Sequence, residues 1–278
     1  MIGGADSVHS AVQGRGWARH RTGPTLANLD FSCCAACGKC CHDLRLPLTR
    51  AEAIAWLRRG DTVEILCEAL PWLEEPEAAD RRAQYRRGRS FGALSGELPI
   101  RVVAILTAIH AGACPNLDER LRCSIYQERP HVCRVYPAEI SPFIALSPAS
   151  KLCPPAAWTA AARLLRDDVV VDDEVRAHMA QSREADAREA RWKRTLCANL
   201  GIGSAVLVNE GFSVHAPPLD RLLEALGQDE VGDGRLACPS WTLVSNQARR
   251  VDALAAVGAQ ACLAPADDAG PVRYIGLP

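Results

Sequence analysis

The chain has 278 residues, 48% of them hydrophobic, and a formal net charge of -1. Such a composition excludes a disordered or fibrous chain, and the length suits one large folded domain or two small ones. Near-neutrality removes any global attraction to nucleic acid or an anionic membrane, and no stretch reaches the roughly 18 apolar residues of a membrane-spanning helix, so neither partner is expected.

Residues 1–28 are rich in Gly, Ser, Arg and His without an apolar period, and read as a flexible lead-in. They lack the basic and then apolar pattern of a secretory leader, so a cytoplasmic location is expected. In a reducing compartment the thirteen cysteines, an odd number, do not suit a disulfide framework, and metal ligation is the better use for them.

The first cysteine cluster occupies 33–41. Thr49-Arg-Ala-Glu52 then has the form of a capping box, and Ala53, Ile54 and Leu57 give the apolar stripe of a helix over about 50–59 that Gly60 ends. Asp61 predicts the cap of a second helix carrying Val63, Leu66, Leu70 and Leu73, and Pro76 the start of a third, charged one to about Arg87. Leu98 to Ile109 is a buried strand or a buried helix leading to Cys114. Residues 112–155 combine many prolines and four more cysteines with little periodicity, as expected of a segment that metal holds in place.

A helix at about 156–167 and a long one at about 173–199 follow. Glu184 with Arg188, and Glu189 with Lys193, stand in the favourable i,i+4 order, which suggests a largely solvated helix, stopped by Gly201 and Gly203. Short apolar runs (205–208, 261–264, 272–275) then alternate with helical stretches (219–226, 243–257). The expected fold is α+β and helix-rich: an irregular, metal-organised cysteine domain over 29–158, followed by a small α/β portion over 159–278.

Cys34-Ala-Ala-Cys37-Gly-Lys-Cys40-Cys41 is the most specific feature. A C-x-x-C turn lets two thiolates converge on one metal while backbone N–H groups face the sulfurs, and Gly38 permits the tight knuckle. The same spacing begins the cluster-binding run of bacterial ferredoxins. Cys114, Cys123, Cys133 and Cys153 supply four more thiolates, enough for one large cluster or two four-coordinate centres. A 4Fe-4S iron-sulfur cluster is the first expectation, because eight clustered thiolates exceed what one structural zinc needs; zinc is the alternative. Either four-thiolate site carries a charge of about -2, and Lys39, Arg122, Arg129 and Arg134 lie close enough in sequence to offset it.

Phe31-x-Cys through Cys40-Cys41, the Cys114-Pro-x-Leu117 element, and Cys123-Ser-Ile-Tyr126-x-x-Arg129-Pro130-x-x-Cys133-Arg134-x-Tyr136-Pro137 resemble the CxxCxxCC cysteine-cluster family of zinc- or iron-chelating proteins. The resemblance spans about 31–155 and implies metal binding, with an iron-sulfur oxidoreductase activity as a looser implication; flagellin lysine N-methylases are similar over the same cysteines. The family's aromatic-x-Cys element selects Cys33, whereas the C-x-x-C spacing selects Cys34.

Cys67, Cys197, Cys238 and Cys262 are spread singly and read as core or surface residues. His42 and His131 flank ligand cysteines as donors around the centre, or as ligands in place of one thiolate. Tyr126, Tyr136 and Glu139 suit proton transfer or plain packing of the metal-supported loops. The basic stretch Arg81 to Arg89 reads as a solvated helix face, and Gly201-Ile-Gly203 lacks the remainder of a dinucleotide fingerprint.

Three functions compete. The first is a redox or biosynthetic metalloenzyme acting on a small-molecule or peptide substrate. The second is a zinc-structured or electron-transfer protein that docks a redox partner protein. The third is an S-adenosylmethionine-dependent protein-lysine N-methylase.

Overall fold

The computed structural model describes residues 28–32, 37–158, 163–231, 240–265 and 273–276. The lead-in lies outside these but for Asn28, as do Cys33, Cys34 and Cys238. In chain order the strands are β1 (Asn28–Asp30), β2 (Arg45–Leu48), β3 (Thr62–Pro71), β4 (Phe91–Ser95), β5 (Leu98–Ile109), β6 (Arg163–Arg166), β7 (Val169–Val170), β8 (Ser204–Leu207), β9 (Gly211–His215), β10 (Thr242–Ser245), β11 (Ala261–Leu263) and β12 (Arg273–Gly276). The helices are α1 (Arg50–Arg58), α2 (Arg81–Gly88), α3 (His131–Val135), α4 (Asp173–Leu200), α5 (Leu219–Gly227) and α6 (Ala248–Ala255). The fold is therefore α+β. The described residues divide into two compact units, neither a continuous stretch: a sheet unit of 64–106 and 186–278, and a cysteine unit of 28–63 and 107–185.

In the sheet unit, strands follow the order β11-β10-β8-β3-β5. β3, β8, β10 and β11 run parallel, with Glu68 opposite Val206, Ala205 opposite Leu243, and Val244 opposite Cys262. β9 pairs antiparallel to both β3 and β12. α6 is the crossover between β10 and β11 and packs on both. Where β9 begins, Gly211 (φ +141°) lies so close to β12 that a Cβ would come within 2.0 Å of the Ile275 carbonyl oxygen, so only glycine fits.

The helix expected after Asp61 is instead the strand β3. Its residues are buried almost without alternation, as in a strand covered on both faces, and in such a run Val63, Leu66 and Leu70 fall at helical spacing by coincidence. The third helix starts not at Pro76 but at Asp80, whose carboxylate accepts from the Ala83 N–H. The basic stretch it carries is partly neutralised within this unit: Arg87 pairs with Glu75 at 2.7 Å, and Arg89 with Asp186 at 3.2 Å. β5 resolves the open choice at 98–109 as a strand. The helix expected over 243–257 begins only at Ala248, because Thr242–Ser245 is drawn into the parallel sheet.

α4 confirms the long helix but not its solvation. Trp192, Lys193, Leu196 and Cys197 are buried, and Lys193 Nζ is held by Asp186 Oδ1 at 2.9 Å. Cys67 and Cys197 are both core residues, and the hydrogen bond between them, followed by burial, drives the Cys67 thiol up. Cys262 is exposed on β11.

In the cysteine unit, α1 has the full capping box: the Thr49 hydroxyl accepts from the Glu52 N–H, and the Glu52 carboxylate accepts from the Thr49 N–H. A three-stranded antiparallel sheet β1-β6-β7 pairs Leu29 with Leu165. Leu29, Leu164 and Leu165 form a small core with Phe31, Leu146, Trp158 and Val170. The helix expected over 156–167 is thus a short 3-10 turn at Pro155–Trp158 and the strand β6, with 159–162 outside the described residues. Leu164 and Leu165 are buried by strand pairing rather than by a helical stripe.

Candidate metal centre

Both ends of the cysteine-bearing chain are tied together. The Ser32 N–H donates to the Ala157 carbonyl at 2.9 Å, and the rings of Phe31 and Trp158 lie 5.0 Å apart. The aromatic residue before the first cysteines therefore packs on the turn that follows Cys153. Within the closed segment, Gly38 adopts φ +62°, a left-handed backbone that favours glycine. Its carbonyl accepts the Cys41 N–H at 2.9 Å, which folds Lys39–Cys41 into a 3-10 turn.

The two cysteine stretches are then laced together. The Cys114 N–H donates to the Cys41 carbonyl at 2.7 Å, and the Asp43 N–H to the Gly112 carbonyl at 2.8 Å. His42 bridges antiparallel to Ala113, and Leu117 to Cys123. The Asp118 carboxylate accepts from the N–H groups of Arg120 and Arg122, tightening the loop that returns the chain to Cys123. Cys133 rides on α3, whose first N–H, that of His131, donates to Glu52 Oε1 at 2.7 Å. One carboxylate thus caps α1 with one oxygen and holds α3 with the other.

Cys40, Cys41, Cys114, Cys123 and Cys133 consequently share one electrostatic environment. Cys40 and Cys41 sulfurs are 3.8 Å apart. Hydrogen bonding from Cys40 holds the Cys41 thiol below the usual thiol range against the charges of Cys114, Cys133 and Cys123, while Cys40 itself is driven far up. Burial, followed by the charges of Cys114, Cys123 and Cys40, pushes the Cys133 thiol up to about 12. Burial also raises Cys114, opposed by the backbone N–H and carboxamide of Asn116. Thiols so placed resist ionising together unless a cation joins them, and thiolates are the form that binds metal.

A zinc or iron centre fits this donor set: soft sulfur ligands, none in a disulfide, from two stretches joined by backbone hydrogen bonds. Among the described residues no three His, Cys, Asp or Glu side chains converge to ligating distance.

The remaining candidates fall into distinct places. Cys37 is half-buried beside Gly38, and Cys34 lies outside the described residues. Cys153 donates to the Tyr136 hydroxyl at 3.5 Å; burial and that bond raise Tyr136, whose phenol also feels Cys40. Lys151 pairs with Glu139 and stands over the Tyr136 ring.

Of the four cations, Arg129 acts on the sulfurs, favouring the charged forms of Cys40 and Cys133. It is stacked 3.6 Å from the centre of the Tyr126 ring, with Nε donating to the Tyr126 carbonyl at 2.9 Å. Arg134 instead clamps that turn through the Arg129 and Gln127 carbonyls. Arg122 pairs with Asp118 at 3.3 Å, and Lys39 is exposed.

His42 Nδ1 meets the Gly38 carbonyl at 2.9 Å and must donate there, leaving Nε2 as the acceptor of the neutral ring. His131 Nδ1 shares a hydrogen bond of 2.9 Å with His178 Nδ1, and Glu52 and Glu174 flank the pair. Asn116 and His178 carry no signal in the sequence, and Glu52 carries only that of a helix cap. Each acquires its role from residues distant along the chain or from a turn geometry no motif spells.

Residues 33–154 match the family model CxxCxxCC, described as a putative zinc- or iron-chelating domain. No curated protein and no solved structure matches the chain.

Proposed function

We propose, from the premise that residues 33–154 belong to the CxxCxxCC family of zinc- or iron-chelating domains, that the thiolates hold iron as an iron-sulfur centre and that the protein is a redox metalloenzyme. The lacing of the two cysteine stretches carries this reading: the Cys114 N–H donates to the Cys41 carbonyl at 2.7 Å, Leu117 bridges to Cys123, and the Cys40 and Cys41 sulfurs lie 3.8 Å apart. Five sulfurs in one field, before Cys37, Cys153 and the first cysteine pair are counted, exceed the four that a structural zinc takes. Arg129 offsets part of the charge, and the Tyr136 hydroxyl is placed to move a proton near Cys153.

The substrate class that suits the chain's length is a small molecule or peptide. A docked redox partner protein is the second reading, favoured by Leu121, Tyr126 and Leu152, which are exposed in the same unit as the thiols. Among the described residues no helix is long and apolar enough to cross a membrane.

Anaerobic purification with iron, sulfide and zinc analysis tests the proposal. Iron and sulfide in comparable amounts, with visible absorption that bleaches on reduction, are expected. A colourless protein with stoichiometric zinc would replace it with a zinc-structured domain.

A further inference from the structure

We infer that the Asn116 carboxamide is an N–H donor to the metal-bound Cys114 thiolate and so a positioning residue of the centre. The inference rests on the reading of Cys114 as a metal ligand. The Leu117 N–H donates to the Cys114 carbonyl at 2.9 Å, a turn that folds residue 116 back towards the cysteine. The Asn116 carbonyl accepts both the Ser124 N–H (2.7 Å) and the Ser124 hydroxyl (3.0 Å), which fixes the backbone at this point.

With its backbone so held, Asn116 is only 8% exposed, and its Nδ2 is buried without a hydrogen-bond partner. A buried amide left unpaired in an otherwise well-bonded loop is costly and calls for an explanation. The nearest thiol along the chain is that of Cys114, two residues back across the turn. A neutral thiol is a weak acceptor, whereas a metal-bound thiolate is a strong one, so the orphaned donor is satisfied when metal arrives. The chain thus keeps one hydrogen bond in reserve for the loaded state, and the carboxamide holds the sulfur in the orientation that state requires.

The test uses the full chain, reduced and metal-free, titrated anaerobically with cobalt(II) and followed through its sulfur-to-cobalt charge-transfer absorption. Asn116→Leu keeps the bulk and removes the donor. It should weaken cobalt binding about 10-fold, the lower end for loss of a partner of a metal ligand, and shift the band to longer wavelength because the sulfur lone pairs are no longer stabilised. Asn116→Asp has nearly the same shape but brings a carboxylate to the thiolates, and should bind more weakly still; it decides the matter should the leucine variant fail to fold. Ser124→Ala disturbs the same loop without touching the amide, and should keep the wild-type band position.

Wild-type affinity and band in either Asn116 variant would overturn the inference alone. So would an equal band shift in Ser124→Ala, which would make the loop rather than the donor responsible. A wild-type protein that gives no thiolate-cobalt absorption would overturn the metal reading as well.

Discussion

The two units of this chain are held by different physics. In the sheet unit, Ile65, Val102, Leu196, Leu207, Leu243 and Leu254 are fully or almost fully buried, and parallel strands collect them around one sheet. In the cysteine unit, the stretch from 110 to 155 buries only Val135, Ala138 and the prolines Pro130 and Pro137 of its aliphatic and aromatic residues. Backbone hydrogen bonds and the Glu52 carboxylate shape that stretch, but little apolar area leaves water there, so hydrophobic burial contributes little to its order. On the metal-binding reading proposed above, metal would supply the missing free energy, as in small domains whose binding and folding are one equilibrium.

Chelation should separate the units most sharply. Removing metal under reducing conditions is expected to open 110–155 to limited proteolysis while the sheet unit stays protected and folded. Equal protection of both units after complete metal loss would show that the thiols order nothing. The converse experiment is Leu243→Ala. Leu243 is 0% exposed, and cutting it back should cost about 2–5 kcal/mol of chemical stability with metal content per folded molecule unchanged.

Glu52→Ala probes the frame beneath the thiols. It removes the acceptor of both the Thr49 and His131 N–H groups, at a cost of about 1–3 kcal/mol for donors left unpaired in a part-buried setting. The loss should appear as weaker metal binding, because α3 carries Cys133, and Glu52→Gln should recover much of it.

The smallest effect expected is a pH dependence of the sheet unit. Burial lowers the proton affinity of His215, opposed by the Ser204 carbonyl at 3.1 Å. Below an unfolded pKa of about 6.5 the unfolded chain takes up a proton that the folded chain resists. Stability is therefore fully present above that pH and falls as pH drops through it. Thermal melts at pH 7.5 and 5.5 should show this slope in the wild type and a shallower one in His215→Gln; an unchanged slope would remove His215 as its cause.

Much of this division was legible in the sequence, and what was not has identifiable causes. Thr49 to Glu52 spells its own cap, since all its partners lie within four residues. β3 was misread because a strand buried on both faces shows no alternation, and apolar residues in a continuous run fall at helical spacing as readily as at any other. β1, β6 and β7 are two to four residues long; β1 pairs with β6 across more than a hundred positions of chain, which no local window contains, and the β6–β7 hairpin is too short to show an alternation. The same holds at the site. The cysteines are visible by spacing, whereas Glu52, Asn116 and the His131–His178 pair matter only through where the fold brings them. Nearness in sequence placed four cations at the sulfurs, yet Arg122 and Arg134 have other partners and Arg129 is the one whose charge favours the thiolates.

X-ray absorption at the metal edge of anaerobically purified full-length protein, alongside Cys41→Ser and Cys133→Ser, tests most directly whether distant stretches share one centre. A first shell of sulfur, disrupted by either substitution, is the result predicted by one cluster spanning both stretches. A shell of nitrogen and oxygen, or one that survives both substitutions unchanged, would contradict it.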